Sequence, residues 1–214
     1  MNQETITTAR QIGFFGGSFN PIHNGHIALA RSLLEAAGLD EVWFVVSPQN
    51  PFKQNSDLLD DAARMAMVTA ALEGEPRLKP CGVELTMPRP SYTWHTLCRL
   101  RSEHPGLQFT LLIGGDNWER FDRWYHSADI LATCRIVVYP RRAQGCGGPI
   151  DAGSLPAGVT MADTPLIDVS STEVRRRVAE GLPIDTLVPP AVAAMISKQG
   201  WYAANADACR GNRS

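Results

Sequence analysis

A short apolar run that ends in two glycines and leads into an apolar pattern of helical period leaves a chain few ways to fold. The run is Ile12-Gly13-Phe14-Phe15, and the turn is Gly16-Gly17-Ser18-Phe19-Asn20-Pro21-Ile22-His23-Asn24-Gly25-His26. The helical pattern follows at Ile27, Leu29, Ala30, Leu33, Leu34 and Ala37. This reads as strand, glycine-rich turn, helix. The first N–H groups of a helix lack intrahelical partners and carry partial positive charge, so they suit phosphate. Gly16 and Gly17 let backbone approach a ligand closely. His23 and His26, three residues apart, face one ligand at the mouth of the helix. The stretch is therefore expected to bind nucleotide phosphates.

The next segments extend the pattern. Glu41-Val42-Trp43-Phe44-Val45-Val46 is a continuous apolar run, as buried parallel strands are. Strand, helix, strand in this span is a βαβ unit with a right-handed crossover. Residues 58–73 have helical spacing with Asp57 or Asp60 as cap. Residues 78–85 read as a strand, and 91–103 as a helix capped by Ser91 or Thr93, with Leu97 and Leu100 inward. Strands are expected at 107–113, at 135–139 and near Leu166-Ile167. Helices are expected at 127–133, from Ser170 to about Gly181, and at 189–200. The expected fold class is α/β: a Rossmann-like, open, mostly parallel sheet with helices on both faces. It forms a single domain over residues 1–214, with a small helical portion at about 170–202 and a frayed tail at 203–214.

Composition narrows the function. The chain has 214 residues and a net charge of −2, so no broad basic surface for nucleic acid is expected. Its five cysteines form no CxxC pair and suit reduced thiols. There is no apolar leader and no run of the roughly 18 apolar residues that span a bilayer. Together these point to a cytoplasmic protein without a membrane partner.

Several further positions carry chemistry. Residues 47–56 form a polar loop after a strand end, where open α/β sheets bind ligands, with Lys53 as its one charge. Spacing alone also allows a solvated surface lysine. Gly114-Gly115-Asp116-Asn117 is a second glycine-rich strand end. Trp118, Phe121, Trp124 and Tyr125 form an aromatic cluster that suits core packing, or a flat wall beside a ligand. Arg141 and Arg142 open a Gly- and Pro-rich excursion at 140–156. Ser170 and Glu173 have capping-box spacing, and Ser170, Ser171, Thr172 and Arg175 converge on one helix N-terminus. Neither a Walker lysine motif nor a complete GxGxxG is present, which disfavours hydride transfer to a dinucleotide. His23 and His26 have no Cys or acidic partner at ligand spacing, so a protein-held metal is not expected.

Gly17 to His26 resembles the GxFxPxHxGH motif of the adenylyl/cytidylyltransferase superfamily. Val169-Ser170-Ser171-Thr172-Glu173-Val174-Arg175 resembles its second motif, ISSTxIR. Pro90-Ser91-Tyr92-Thr93, Gly114-x-Asp116, Trp124-Tyr125, Arg141-Arg142 and Gln199-Gly200-Trp201-Tyr202 are similar to one branch, the bacterial nicotinate-mononucleotide adenylyltransferases. The resemblance covers about residues 11 to 202.

The resemblance implies transfer of AMP from ATP to nicotinate mononucleotide, giving nicotinate adenine dinucleotide and pyrophosphate by in-line attack. It assigns catalysis to His23 and His26, and ATP binding to Gly16, Gly17, Ser18, Phe19, Ser170, Ser171, Thr172 and Arg175. It assigns the mononucleotide to Lys53, Tyr92, Thr93, Asp116, Trp124, Arg141 and Arg142. Phe52 stands where many members carry a histidine before the loop lysine. Mg²⁺ is expected with ATP, bound mainly through phosphates. Sibling enzymes acting on nicotinamide mononucleotide or phosphopantetheine, and a non-catalytic nucleotide sensor, are the alternative readings. The sequence does not set the oligomeric state.

Overall fold

The computed structural model describes residues 9–48, 58–140, 152–165 and 169–204. Within these, β1 (Arg10–Gly17), β2 (Glu41–Val46), β3 (Leu78–Cys81), β4 (Leu107–Gly114), β5 (Arg135–Tyr139) and β6 (Val159–Met161) form one sheet. Every pairing is parallel, in the order β3-β2-β1-β4-β5-β6. The chain starts in the middle, builds outward through β2 and β3, then returns to place β4 against the other side of β1. A crevice opens at the carboxyl ends of the strands where that direction reverses.

The helices are α1 (Asn24–Ala36), α2 (Asp61–Ala71), α3 (Thr93–Glu103), the single turn α4 (Gly115–Trp118), α5 (Ser127–Thr133), α6 (Ser171–Ala179) and α7 (Pro190–Gln199). They cover both sheet faces. On one face Leu33, Met67, Val174, Val192 and Ile196 pack with Phe15, Phe44 and Val46. On the other, Leu97, Leu100, Phe121 and Ile130 pack with Ile12, Phe14, Leu111 and Ile136. Each such side chain contributes about 1.5–3 kcal/mol by leaving water. β1 lies at the centre of both layers. A Cβ on Gly13 would come within 2.8 to 3.0 Å of Leu112, Leu39 and Val42 side chains, so this position is small because neighbours crowd it.

Two local expectations are corrected. The strand read over 78–85 ends at Cys81, and Val83–Thr86 is a 3₁₀ turn that carries Glu84 inward. The cap of α3 is Tyr92, with no side-chain hydrogen bond, rather than Ser91 or Thr93. The Ser91 hydroxyl instead donates to Glu84 at 2.9 Å. The strand in the 159–169 span is β6, while Leu166 and Ile167 lie outside the described residues. The sequence boundaries of β2, α5 and β5 coincide with the observed ones.

Two buried charges position the loops at the carboxyl edge. Glu84, 3% exposed, accepts from the hydroxyls of Ser47, Ser91 and Thr96, and so joins the end of β2 to the start of α3. Arg64, fully buried on α2, donates from Nη1 to the carbonyls of Ser18 at 2.6 Å and Ser47 at 2.9 Å. Its Nε donates to the Leu59 carbonyl at 2.8 Å, and its Nη2 meets Asp61 at 2.5 Å. Burial pulls the Arg64 pKa below its ordinary value, and Asp61 opposes that pull. One guanidinium thus ties the exits of β1 and β2 to the entry of α2.

Arg64→Met keeps the apolar stem and removes the fork, leaving three carbonyls without their charged donor. We expect a loss of about 3–5 kcal/mol, read as a lower urea midpoint at unchanged slope. A loss below about 1 kcal/mol would show that the loops hold their positions without it.

Candidate active site

α1 begins with its two histidines arranged reciprocally. His23 is the N-cap, in an extended conformation at φ −144°, ψ 167°. Its Nδ1 accepts from the His26 backbone N–H at 3.3 Å, and the Nδ1 of His26 accepts from the His23 backbone N–H at 3.2 Å. The rings stack with centroids 3.6 Å apart. This is a capping box built from imidazoles, a role that usually falls to Ser/Thr and Glu/Gln. It also sets the tautomer. With each Nδ1 accepting a backbone proton, a neutral ring carries its own proton on Nε2. Both histidines are then N–H donors on the edge opposite the cap, the polarity that phosphate oxygens require. The Phe15 and Phe19 rings meet His26 edge-on and hold it in place.

The second motif adjoins the first directly. Ser171 Oγ donates to the Pro21 carbonyl at 2.8 Å, and Arg175 Nη1 donates to the Asn20 carbonyl at 2.7 Å. Ser170 caps α6 by accepting from the Glu173 N–H. The return half of the expected capping box is not made. The Glu173 carboxylate pairs with Arg176 and Arg177, which hold its pKa down at about 2. That pairing keeps a first-turn carboxylate engaged away from the helix N-terminus. Thr172 Oγ1 lies 3.5 Å from Arg175 Nη2. The hydroxyls of Ser170 and Ser171 therefore serve the protein's own loops as well as facing the cavity.

A third wall comes from the other half of the sheet. Tyr92 is the N-cap of α3, and its ring lies 4.9 Å from that of Tyr125, which is 45% exposed. Trp124 is tilted against Phe121, which stacks on Trp118. The aromatic cluster thus divides: Phe121 is core and Trp118 packs against that core, while Trp124 and Tyr125 face the cavity. No side chain caps α3, and Tyr92 and Thr93 at its start line the cavity. Asp116 sits on α4 immediately after β4, with its Oδ1 shielded from solvent.

One cavity of about 760 Å³ runs along this edge. Gly16, Gly17, Ser18, Phe19, His23, His26, Tyr92, Thr93, Asp116, Trp124, Ser170, Ser171, Thr172 and Arg175 all line it. Lys53, Arg141 and Arg142 lie outside the described residues. Other lining residues carried no site assignment from the sequence: Ser47, Asp60, Asp61, Glu84 and Arg89, with Tyr125 named only within the aromatic cluster. Asp60 was legible only as a helix cap, which it also is, accepting from the Ala63 N–H at 2.9 Å. Arg89 pairs with Asp61 at the cavity rim. Among the described residues, no group of three or more His, Cys, Asp or Glu could hold a metal ion, and no helix is long and apolar enough to cross a membrane.

Comparison with known proteins follows the same lines. The model of the family described as cytidylyltransferase-like matches residues 14–177. A Bacteroides fragilis relative named "Probable nicotinate-nucleotide adenylyltransferase" is 49% identical over 187 residues, spanning 87% of this chain and 91% of its own. A relative of the same name from Bacteroides thetaiotaomicron is 44% identical over 180 residues, spanning 84% and 87%. The structure of Plasmodium falciparum nicotinic acid mononucleotide adenylyltransferase complexed with NaAD has the same fold. Its TM-score is 0.73 at 20% identity, covering 92% of this chain and 98% of that one. A family match over most of the chain, and relatives this similar along nearly their whole length, establish that the chain belongs to the cytidylyltransferase-like family.

Proposed function

We propose that this protein transfers AMP from ATP to nicotinate mononucleotide, releasing pyrophosphate and forming nicotinate adenine dinucleotide, a step of NAD synthesis. The observation that carries this reading is the meeting of the two motifs through Ser171–Pro21 and Arg175–Asn20, on the rim of the cavity whose far wall is Tyr92, Thr93 and Trp124. The names of the relatives support the same acceptor.

In this reading Gly16, Gly17, Ser18 and Phe19 bring backbone up to the nucleotide, and the N-termini of α1 and α6 face the triphosphate. The acceptor phosphate is already an anion, so the chain need not generate a nucleophile. It aligns two reactants and offsets charge that builds on the bridging and leaving oxygens. His23 and His26 donate from Nε2 to the α-phosphate oxygens as charge shifts toward pyrophosphate. Ser170, Ser171, Thr172 and Arg175 hold the β- and γ-phosphates. Arg175 keeps one nitrogen on Asn20 and turns the rest of its fork to the ligand.

A divalent cation, taken here as Mg²⁺, supplies charge neutralisation across the phosphates when ATP binds. The ion would arrive on the phosphates of the nucleotide, and Asp116, directly after β4, would face a ribose or the hydrated ion.

The acceptor ring lies against Trp124, and its carboxylate takes the backbone amides at the start of α3, near Tyr92 and Thr93. An amide in the same place would direct N–H donors at N–H donors, which selects nicotinate over nicotinamide. Arg142, with Arg141, would contact the mononucleotide phosphate, and Lys53 would also bind the mononucleotide. ATP and the mononucleotide are its partners, with no nucleic acid.

Pyrophosphate release with ATP and a panel of acceptors tests the reading. We expect kcat/KM for nicotinate mononucleotide to exceed that for the nicotinamide form by at least about tenfold. Equal values would remove the carboxylate assignment, and release with neither acceptor would remove the function. His26→Ala should lower kcat by about 10²–10³ while costing only about 1 kcal/mol of stability for the lost cap. Near-normal turnover would reduce the histidine pair to a cap. Trp124→Ala should raise KM for the mononucleotide by about tenfold and leave KM for ATP within about twofold, as loss of one stacking partner does. The opposite pattern would put the adenine on that wall.

A further inference from the structure

We infer that Tyr202 is a positioning residue for the triphosphate end of the cavity, acting through the Asn20 side chain on the loop that holds Arg175. The inference rests on the reading of Arg175 as a phosphate ligand and adds a residue outside both motifs.

Tyr202 follows α7 in the left-handed region, at φ 63°, a conformation that residues other than glycine seldom adopt. Its ring packs against the same apolar cluster as α1 and α7. Its hydroxyl passes beyond that cluster and donates to Asn20 Oδ1 at 2.7 Å. Asn20 is 4% exposed, and its Oδ1 also accepts from the Leu59 N–H at 3.3 Å. Two donors on one oxygen fix which way the amide faces.

The backbone carbonyl of the same residue is the acceptor for Arg175 Nη1, and the next carbonyl, that of Pro21, accepts from Ser171. Whatever turns Asn20 turns the two oxygens on which the second motif hangs. Tyr202 thus reaches Arg175 through a single intervening residue.

Burial raises the Tyr202 pKa well above its ordinary value, with Arg175 and Arg64 opposing the shift. The phenol stays a donor over the range in which such enzymes work. The ring alone would satisfy the packing, so a purely structural tyrosine would be replaceable by phenylalanine.

Tyr202→Phe removes the hydroxyl and leaves Asn20 Oδ1 its Leu59 partner, so the fold is retained. Steady-state pyrophosphate release with both substrates varied is the measurement. We expect kcat to fall about tenfold, KM for the mononucleotide to stay within about twofold, and the thermal midpoint to move by only a few degrees. In an Asn20→Ala background the same substitution should change kcat by less than about twofold, because the path it acts through is gone.

Unchanged kcat, a loss of equal size in both backgrounds, or a fall that simply tracks unfolding would each overturn the inference. If the wild-type chain releases no pyrophosphate, the functional reading fails instead. In that event calorimetric affinity for a methylene analogue of ATP still reports on Tyr202, and equal affinity of wild type and Tyr202→Phe would overturn it.

Discussion

The carboxyl edge of this sheet depends on one buried guanidinium. Strands that end side by side present carbonyl oxygens with no further ladder to join, and those of Ser18 and Ser47 converge on the same point. Water could satisfy them only by filling the space where α2 packs. Arg64 satisfies them from within α2 and takes the Leu59 carbonyl with the same fork. A lysine brings three donors from one atom and could not span oxygens on three segments. Because Ser18 belongs to the turn after β1 and Ser47 to the exit of β2, this contact sets the spacing between the two loops. Asn20, bonded to Leu59 and Tyr202, extends the same network to the other end of the chain.

The helix N-termini around the cavity are finished differently, and the differences sort ligand from scaffold. α2 is closed by Asp60, and Asp61 beside it is taken by Arg64 and Arg89. α1 is closed by a cap that itself presents donors outward, and α6 by Ser170. α3 has no side-chain cap. A cap contributes about 1 kcal/mol, so leaving one out lowers stability only slightly. In the proposed reading the anionic groups of the substrates lie at α1, α6 and α3. That pattern suits a triphosphate at one end of the cavity and an acidic ring at the other.

Much of this was legible in the sequence, because apolar runs, glycine turns and N-cap residues act locally. β2, α5 and β5 follow from the local sequence pattern alone. The residues that failed to announce themselves are those whose role is set by distant partners. Arg64 reads as an ordinary charge in an alanine-rich helix. Yet it lies on the stripe of Ala63, Met67, Val68 and Ala71, a position where a solvated arginine would not sit. That register was the available signal. Residues 78–85 read as a strand by propensity, but Glu84 is drawn inward by three hydroxyls and the chain turns at Gly82 to deliver it. Ser91, a good cap in isolation, is taken by the same carboxylate. A local preference worth about 1 kcal/mol yields to a buried charge that needs its partners.

The contacts that complete the site span almost the whole chain. Ser171–Pro21, Arg175–Asn20 and Tyr202–Asn20 close sequence separations of 150, 155 and 182 residues. Closing such loops costs entropy that grows only slowly with length, so the distance itself is a minor penalty. What it imposes is an order of events. The first motif can form its turn and its histidine cap locally, but the arginine and serine of the second are aimed only once α6 and α7 have docked. Val174, Val188, Val192 and Ile196 supply the driving force for that docking, by burying apolar surface against the layer that contains α1. Hydrophobic packing on one face of the sheet therefore holds together a polar site at its edge, and the Asn20 loop is where the two meet.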